Sequence, residues 1–243
     1  MDQERLSKVM AARGLCSRRE ADKYIERGHV SVNGIIVNKL GSKVSPNDKI
    51  VLSKQAKEEQ KKLVTFILNK PIGYVSSQPE KDYKPAVSLI NYSNQWSRDS
   101  FIAKDLKNQL RGVATAGRLD IDSHGLLVLT QDGRISRKII GENTSIEKEY
   151  IVRIEGKLNS TGLKKLNYGL ELDGKPLKPA KVNWFKNDYL CFILKEGKKR
   201  QIRRMCELVG VKVTNLKRVR VGNVLLGNLP KGQWRYLRDN ESF

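Results

Sequence analysis

An α+β fold is what this sequence predicts, and three observations carry it. Strand-type runs are interspersed with helix-type runs without a regular βαβ rhythm; a helix, helix, hairpin order is confined to the first sixty residues; and the pattern changes at Leu63. Such interspersion favours a mainly antiparallel mixed sheet flanked by helices over a doubly wound parallel one. The expected division is a small helix-helix-sheet domain at residues 1–52, a linker at 53–62 and a larger domain at 63–243.

Leu6, Val9 and Met10 recur at helical spacing and Gly14 closes the run, so a short amphipathic helix is expected over residues 4 to 13. Ser17-Arg18-Arg19-Glu20 has capping-box form, and Gly28 stops the helix it opens. Val30 to Val37 is β-rich on both sides of Asn33-Gly34, the strongest short-range hairpin signal. A strand from Lys49 to Leu52 follows the turn Ser45-Pro46-Asn47-Asp48. Residues 53 to 62 are charged and lack apolar periodicity, as a linker would.

In the larger domain, Val64 to Leu68 is a buried-strand run stopped by the Pro and Gly of Asn69-Lys70-Pro71-Ile72-Gly73. Residues 79 to 111 are weakly patterned, with one short helix expected around Val87 to Asn91. Strands are expected at Leu126 to Thr130, Tyr150 to Ile154, Lys181 to Phe185, Leu190 to Leu194 and Val211 to Val221, with a last one at Trp234 to Leu237. Helices are expected at Ile135 to Ile140, Thr161 to Tyr168 and Arg200 to Val209.

Forty-seven Lys and Arg against 26 Asp and Glu give a formal charge of +21, a surplus that commonly serves a polyanion. Ten of the basic residues, against two acids, lie between Lys195 and Arg220, where phosphate contact is their natural use. No apolar run approaches the roughly 20 residues of a spanning helix, and no signal-peptide core is present, so a soluble, cytoplasmic protein without a membrane partner is expected. Cys16, Cys191 and Cys206 are odd in number and widely spaced, and the histidines are only His29 and His124. Buried, reduced thiols are therefore expected rather than a disulfide framework or structural zinc. Neither the Gly-x-Gly-x-x-Gly fingerprint nor the phosphate-loop pattern occurs.

Gly117-Arg118-Leu119-Asp120-Ile121-Asp122-Ser123-His124-Gly125 places Asp120 in a Gly-bounded turn that empties into the apolar run Leu126 to Leu129. On local grounds such an aspartate is a turn former or an ion-pair partner of Arg118 as readily as a reacting group. Against the first reading stands the lack of other chemistry: no Ser-His-Asp arrangement and no carboxylate cluster for a metal.

Residues 117 to 129 resemble the Gly-Arg-Leu-Asp-x-x-[Thr/Ser]-x-Gly-Leu-Leu motif of the pseudouridine synthases, in the branch that includes RsuA, RluB, RluE and RluF, with Ser123 where Thr is common. Asn69 to Gly73 is similar to the family's first motif, Glu147-Lys148-Glu149-Tyr150 to its tyrosine motif and Arg200-Gln201-Ile202-Arg203-Arg204-Met205 to its last. Gly141-Glu142-Asn143 leading into Glu147 looks like the members that act on large-subunit ribosomal RNA, whereas the basic C-terminal tail of many members has no counterpart here. Arg5 to Gly34 resembles the RNA-binding domain first described in ribosomal protein S4.

The resemblance implies a pseudouridine synthase catalytic domain behind an RNA-binding one, acting on a uridine of structured RNA, 23S ribosomal RNA foremost, and as a monomer. The isomerisation changes neither redox state nor composition, so no cofactor or metal is expected. By motif position Asp120 is the nucleophile, Arg203 the buried cation that keeps it ionised and Tyr150 the ring that stacks on uracil. Arg118 resembles the arginine that fills the space a flipped base leaves, with Lys148, Arg200 and Arg204 on the substrate. Arg5, Arg13, Arg18, Arg19, Lys23, Arg27, Lys198 and Lys199 are expected to hold RNA. The same chemistry on transfer RNA, and a non-catalytic RNA-binding or ribosome-assembly role, are the competing readings.

Overall fold

The computed structural model describes residues 3–77, 82–99, 101–141 and 144–243; Glu142 and Asn143, part of the expected motif, lie outside them. In the N-terminal unit, β1 (Glu4–Arg5) leads into α1 (Leu6–Ala12) and then α2 (Arg18–Glu26). The first helix is shorter than expected because Glu4 and Arg5 pair with a strand, β4 (Lys43–Val44), that the sequence did not announce. The capping box forms as spelled: the Glu20 N–H donates to Ser17 Oγ at 3.2 Å and the Ser17 N–H to the Glu20 carboxylate at 2.7 Å. Between β2 (Val30–Val32) and β3 (Ile35–Ile36), Asn33 and Gly34 sit at φ 51° and 87°, the left-handed pair a type I′ turn requires. β5 (Ile50–Leu52) pairs with the other edge of β2.

The segment expected as a linker is instead helix α3 (Lys54–Lys61), capped by Ser53, whose Oγ accepts from the Ala56 N–H at 3.2 Å. Its inward positions are Ala56 and Gln60, four apart, and one is polar, which is why no apolar periodicity shows. Ala56 completes the core of Leu6, Met10, Ala21, Ile25, Val30 and Leu52, while Gln60 Nε2 donates to the Leu15 carbonyl at 2.7 Å.

The larger unit begins with β6 (Thr65–Lys70). Short 3₁₀ turns at Ala86–Leu89 and Tyr92–Asn94 and helix α4 (Leu106–Gln109) follow in the region expected to be irregular, and β7 (Ala114–Thr115) precedes the Asp120 loop. After the loop come β8 (His124–Thr130), α5 (Gly133–Ile140), β9 (Lys148–Glu155) and α6 (Ser160–Asn167). A small hairpin, β10 (Glu171–Leu172) with β11 (Lys175–Pro176), leads to β12 (Lys181–Lys186), β13 (Tyr189–Leu194) and α7 (Gln201–Leu208). The chain closes with β14 (Lys212–Val221), β15 (Val224–Leu225) and β16 (Trp234–Tyr236).

These strands form one sheet in the order β12-β13-β9-β14-β8-β6-β16, with β15 on β14 and β7 on β8. Among the described pairings of this sheet only β14 with β8 is parallel, as the mixed, mainly antiparallel expectation required. Every residue of β8 is buried. Leu127 and Leu129 pack with Phe66, Val152 and Phe192 on one face, and Leu126 and Val128 with Ile67, Ile139 and Leu229 on the other. A strand enclosed on both faces is a rigid anchor for the loop that feeds it.

The parallel pairing depends on Gly125, at φ 104°, where a Cβ would lie 2.3 Å from the Arg218 carbonyl oxygen. Only glycine lets the two backbones approach there. The units meet where Arg134 Nη1 donates to Gln60 Oε1 at 3.0 Å. No described helix is long and apolar enough to cross a membrane.

Candidate active site

The loop 117–123 is pinned from several sides, and Asp120 sits at its turn. Ser76 Oγ donates to the Leu119 carbonyl at 2.5 Å and accepts from the Leu119 N–H at 2.8 Å. The Gly73 N–H donates to the Ile121 carbonyl at 2.9 Å, and the Ser123 N–H turns back to the Asp120 carbonyl at 3.0 Å. Leu119 and Ser123 are buried on either side while Asp120 is half-exposed. The Asp120 carboxylate has no hydrogen bond or ion pair among the described residues, so its oxygens face the site unspent. The alternative of a pair with Arg118 is not what forms: the Arg118 side chain is exposed, and only its carbonyl is engaged, accepting from Arg218 Nη1 at 3.3 Å.

The first and second motifs meet through Lys70, the last residue of β6, which is paired with Gly125 and fully buried. Its ammonium donates to the carbonyls of Pro71 and Tyr74, both at 2.9 Å. Burial lowers its pKa to about 8, against the raising pull of the Asp120 and Asp122 carboxylates.

Arg203, expected opposite Asp120, is buried as expected but pairs with Asp122 instead. Its Nη2 lies 3.2 Å from the Asp122 carboxylate and donates to the Asp122 carbonyl at 2.9 Å, while Nη1 donates to the Val213 carbonyl at 3.0 Å. Asp122 also takes Arg200 Nη1 at 3.1 and 3.2 Å on its two oxygens. Arg200 opens α7 in the left-handed region at φ 52°, a conformation that is strained for a side chain of its size and aims it back at the loop.

Tyr150 lies on the inward face of β9 with Lys148, Val152 and Ile154, and is 9% exposed. Its neighbours across the ladders are Phe192 and Arg218. Arg218 thus joins the tyrosine strand to the Asp120 loop: its Nε donates to the Leu126 carbonyl at 2.7 Å and its Nη1 to the Arg118 carbonyl. Sequence reasoning counted Arg218 only within a basic run. The available signal was its phase, since it takes an inward position after Leu216 on β14. Lys70 and Asp122 were likewise quoted in motifs without a role.

The basic count between Lys195 and Arg220 therefore overstates the surface, because Arg203 and Arg218 are interior. Arg204 is half-buried and pairs with Asp173, Nη2 to Oδ1 at 2.6 Å. In the N-terminal unit Arg5, Arg18, Arg19 and Lys23 are exposed. Arg13 is spent on the carbonyls of Asp48 and Pro46, both at 2.6 Å, and Arg27 lies 3.5 Å from Glu59. Lys199 is exposed and Lys198 half-buried beside α7. Cys16 and Cys206 are buried thiols, their pKa values pushed up to about 12 chiefly by burial, and Cys191 is half-buried.

Comparison with known proteins agrees with this assembly. The model of the RNA pseudouridylate synthase family matches residues 64–208, and that of the S4 domain residues 4–50. The dual-specificity RNA pseudouridine synthase RluF of Escherichia coli (strain K12) is 36% identical over 239 residues, covering 98% of this chain and 76% of that protein. An RNA pseudouridine synthase of Aquifex aeolicus (strain VF5) is 34% identical over 249 residues, covering 99% of this chain and 93% of the relative. A solved crystal structure of a pseudouridylate synthase superposes with a TM-score of 0.64 at 28% identity, covering 96% of each chain. With sequence, fold and the meeting of the four motifs in accord, the chain belongs to the RNA pseudouridylate synthase family and is an RNA pseudouridine synthase.

Proposed function

We propose that this enzyme isomerises a specific uridine of large-subunit ribosomal RNA, with Asp120 as the nucleophile on a flipped-out base. The observation that supports it is the Asp120 carboxylate itself: held at a pinned turn, half-exposed, near the buried Lys70 ammonium and without a protein partner among the described residues. A carboxylate so placed forms a transient covalent adduct with the uridine, which divides a hard glycosidic rearrangement into two easier steps. The base turns within the site and rejoins the ribose through carbon. Tyr150 stacks on the uracil and handles the proton at that carbon, and Arg203, tied to Asp122, holds the loop. Flipping costs a few kcal/mol of lost stacking, and the exposed Arg118 fills the vacated space.

Arg5, Arg18, Arg19 and Lys23 on the first unit, with Lys198 and Lys199 beside α7, hold the RNA through phosphates, while Arg200 and Arg204 contact the strand near the target. Arg13 and Arg27 contribute through their remaining donors. We divide the chain into an RNA-binding unit at 1–52, a connecting helical segment at 53–62 and a catalytic unit at 63–243, working as a monomer in the cytoplasm.

Tritium release from RNA labelled at carbon 5 of uridine tests the reading, with modified sites mapped in both ribosomal and transfer RNA from a deletion strain. Release by the wild type, abolished in Asp120→Asn, and a lost site in large-subunit RNA are expected. Undiminished release in Asp120→Asn would sink the nucleophile; a site lost only from transfer RNA would move the target.

A further inference from the structure

Two interior cations of the site have donor groups that no carboxylate takes up among the described residues. Arg218 is 4% exposed; its Nε and Nη1 are bonded to carbonyls, but its Nη2 is buried with no partner. Lys148 is 7% exposed; its ammonium has no hydrogen bond or ion pair among the described residues but, unlike Arg218 Nη2, still reaches solvent. Lys148 stands two residues before Tyr150 on the same face of β9, and Arg218 is the β14 residue directly beside Tyr150.

A buried charge without a partner is costly and is retained where a ligand supplies the opposite charge. The two carboxylates that flank Lys148 in the chain do not serve. Glu149 points to the opposite face, where Arg220 Nε meets it at 2.7 Å, and Glu147 takes Arg220 Nη2 at 3.2 Å. The charged neighbours that act on Lys148 are Arg218 on β14 and Lys178 in the loop before β12, both positive; with burial as the largest cause they hold its pKa down at about 8.

We propose that Lys148 and Arg218 form a subsite for one phosphodiester of the target strand, the one attached to the nucleotide whose base lies on Tyr150. Two residues along a strand span about 7 Å, comparable with the reach from a nucleobase to the phosphate of the same nucleotide. An ammonium and the free edge of a guanidinium supply charge-assisted donors to adjacent phosphate oxygens. Phosphate and base are then gripped together, which fixes the ribose between them over the Asp120 loop, since the same guanidinium holds the Arg118 carbonyl. The subsite rests on the reading of Asp120 and Tyr150 as the uridine site, but its test does not depend on catalysis.

Because Lys148 makes no bond to the protein, Lys148→Gln and Lys148→Arg leave the fold intact, whereas changing Arg218 removes two backbone ties. The test is equilibrium binding to the full chain of the dinucleotide uridylyl-uridine against uridine, followed by nuclear magnetic resonance across pH 6.5 to 9.5. The dinucleotide should bind at least tenfold more tightly than the nucleoside below pH 8 and lose the Lys148 part of that advantage as pH rises through about 8. Lys148→Arg should keep the advantage at every pH, and Lys148→Gln should bring it down at every pH to the smaller, pH-independent part that Arg218 supplies, at least threefold below the wild-type value at pH 6.5. A dinucleotide bound no better than uridine, an unbound dinucleotide, or an advantage undiminished in Lys148→Gln would each overturn the proposal. Loss of tritium release has no bearing on these outcomes, so failure of the catalytic reading registers separately.

Discussion

Replacing Lys70 by methionine should change how stability responds to alkali, and the size follows from the site. An ammonium with an ordinary value of 10.5 that titrates at about 8 in the fold holds its proton less tightly there by about 3 kcal/mol, at 1.36 kcal/mol per tenfold. Between pH 8 and 10.5 the unfolded chain therefore binds more protons than the native one, so stability rises with pH across that window and the full deficit is present below it. Half-exposed Asp120 and Asp122 admit water near the ammonium, so about 1.5 to 3 kcal/mol is the expected rise. The absolute effect of Lys70→Met at neutral pH is mixed, because it removes a buried charge but strands the Pro71 and Tyr74 carbonyls at about 1 to 3 kcal/mol each. The slope is cleaner. Urea unfolding at pH 7.5, 8.5 and 9.5 should show wild type gaining on Lys70→Met as pH rises, while tyrosines and surface lysines, common to both, cancel. Parallel curves, within about 0.5 kcal/mol of constant separation, would refute the assignment of Lys70 as a buried, charge-bearing residue.

Three other perturbations follow from the same geometry. Asp122→Asn keeps the shape of the loop but leaves Arg203 without its counter-charge; because Asp122 is 46% exposed, a loss of about 1 to 3 kcal/mol in unfolding free energy is expected rather than the larger cost of a fully buried pair, together with a fall in tritium release. Gly125→Ala places a Cβ against the Arg218 carbonyl at a left-handed φ, so the protein should lose at least about 3 kcal/mol or fail to express in soluble form, read by thermal unfolding. Neutralising Arg18, Arg19 and Lys23 together should lower the slope of log affinity for RNA against log salt by about 2 to 3, with the single-turnover rate at saturating RNA unchanged.

The elements were legible wherever local chemistry decides them. The Ser17 and Glu20 capping box, the Asn33-Gly34 turn and the apolar run Leu126 to Leu129 of β8 all form where sequence placed them, because each depends on residues a few positions apart. Helix α3 was not legible, since its inward face is only Ala56 and Gln60 and its reason to fold is the core supplied by residues 6 to 52. The short strands β1 and β4 escaped for a like reason: two-residue ladders have no periodicity to detect. At the site, Asp120 and Tyr150 were expected from motifs, and the fold joins the loop of one to the strand of the other through Arg218. The partner of Arg203 was misjudged, because spacing along the chain does not distinguish two carboxylates two residues apart on a turn, and here the nearer one is Asp122.

That difference bears on which carboxylate the turn leaves free. A single buried arginine paired with Asp120 would occupy the oxygens that attack in the reaction proposed above. Around this loop the positive charge is distributed instead: Lys70 beneath it, Arg203 and Arg200 on Asp122, and Arg218 on the Arg118 carbonyl. The Asp120 oxygens are thereby left without a hydrogen bond or ion pair among the described residues, and their lone pairs remain available. Asp122 is what makes this possible, because it draws the two α7 arginines to one side of the turn. In the subsite proposed for Lys148 and Arg218, the interior positive charge not spent on Asp122 is the complement of an incoming phosphodiester and favours a nucleic acid strand over a free nucleoside.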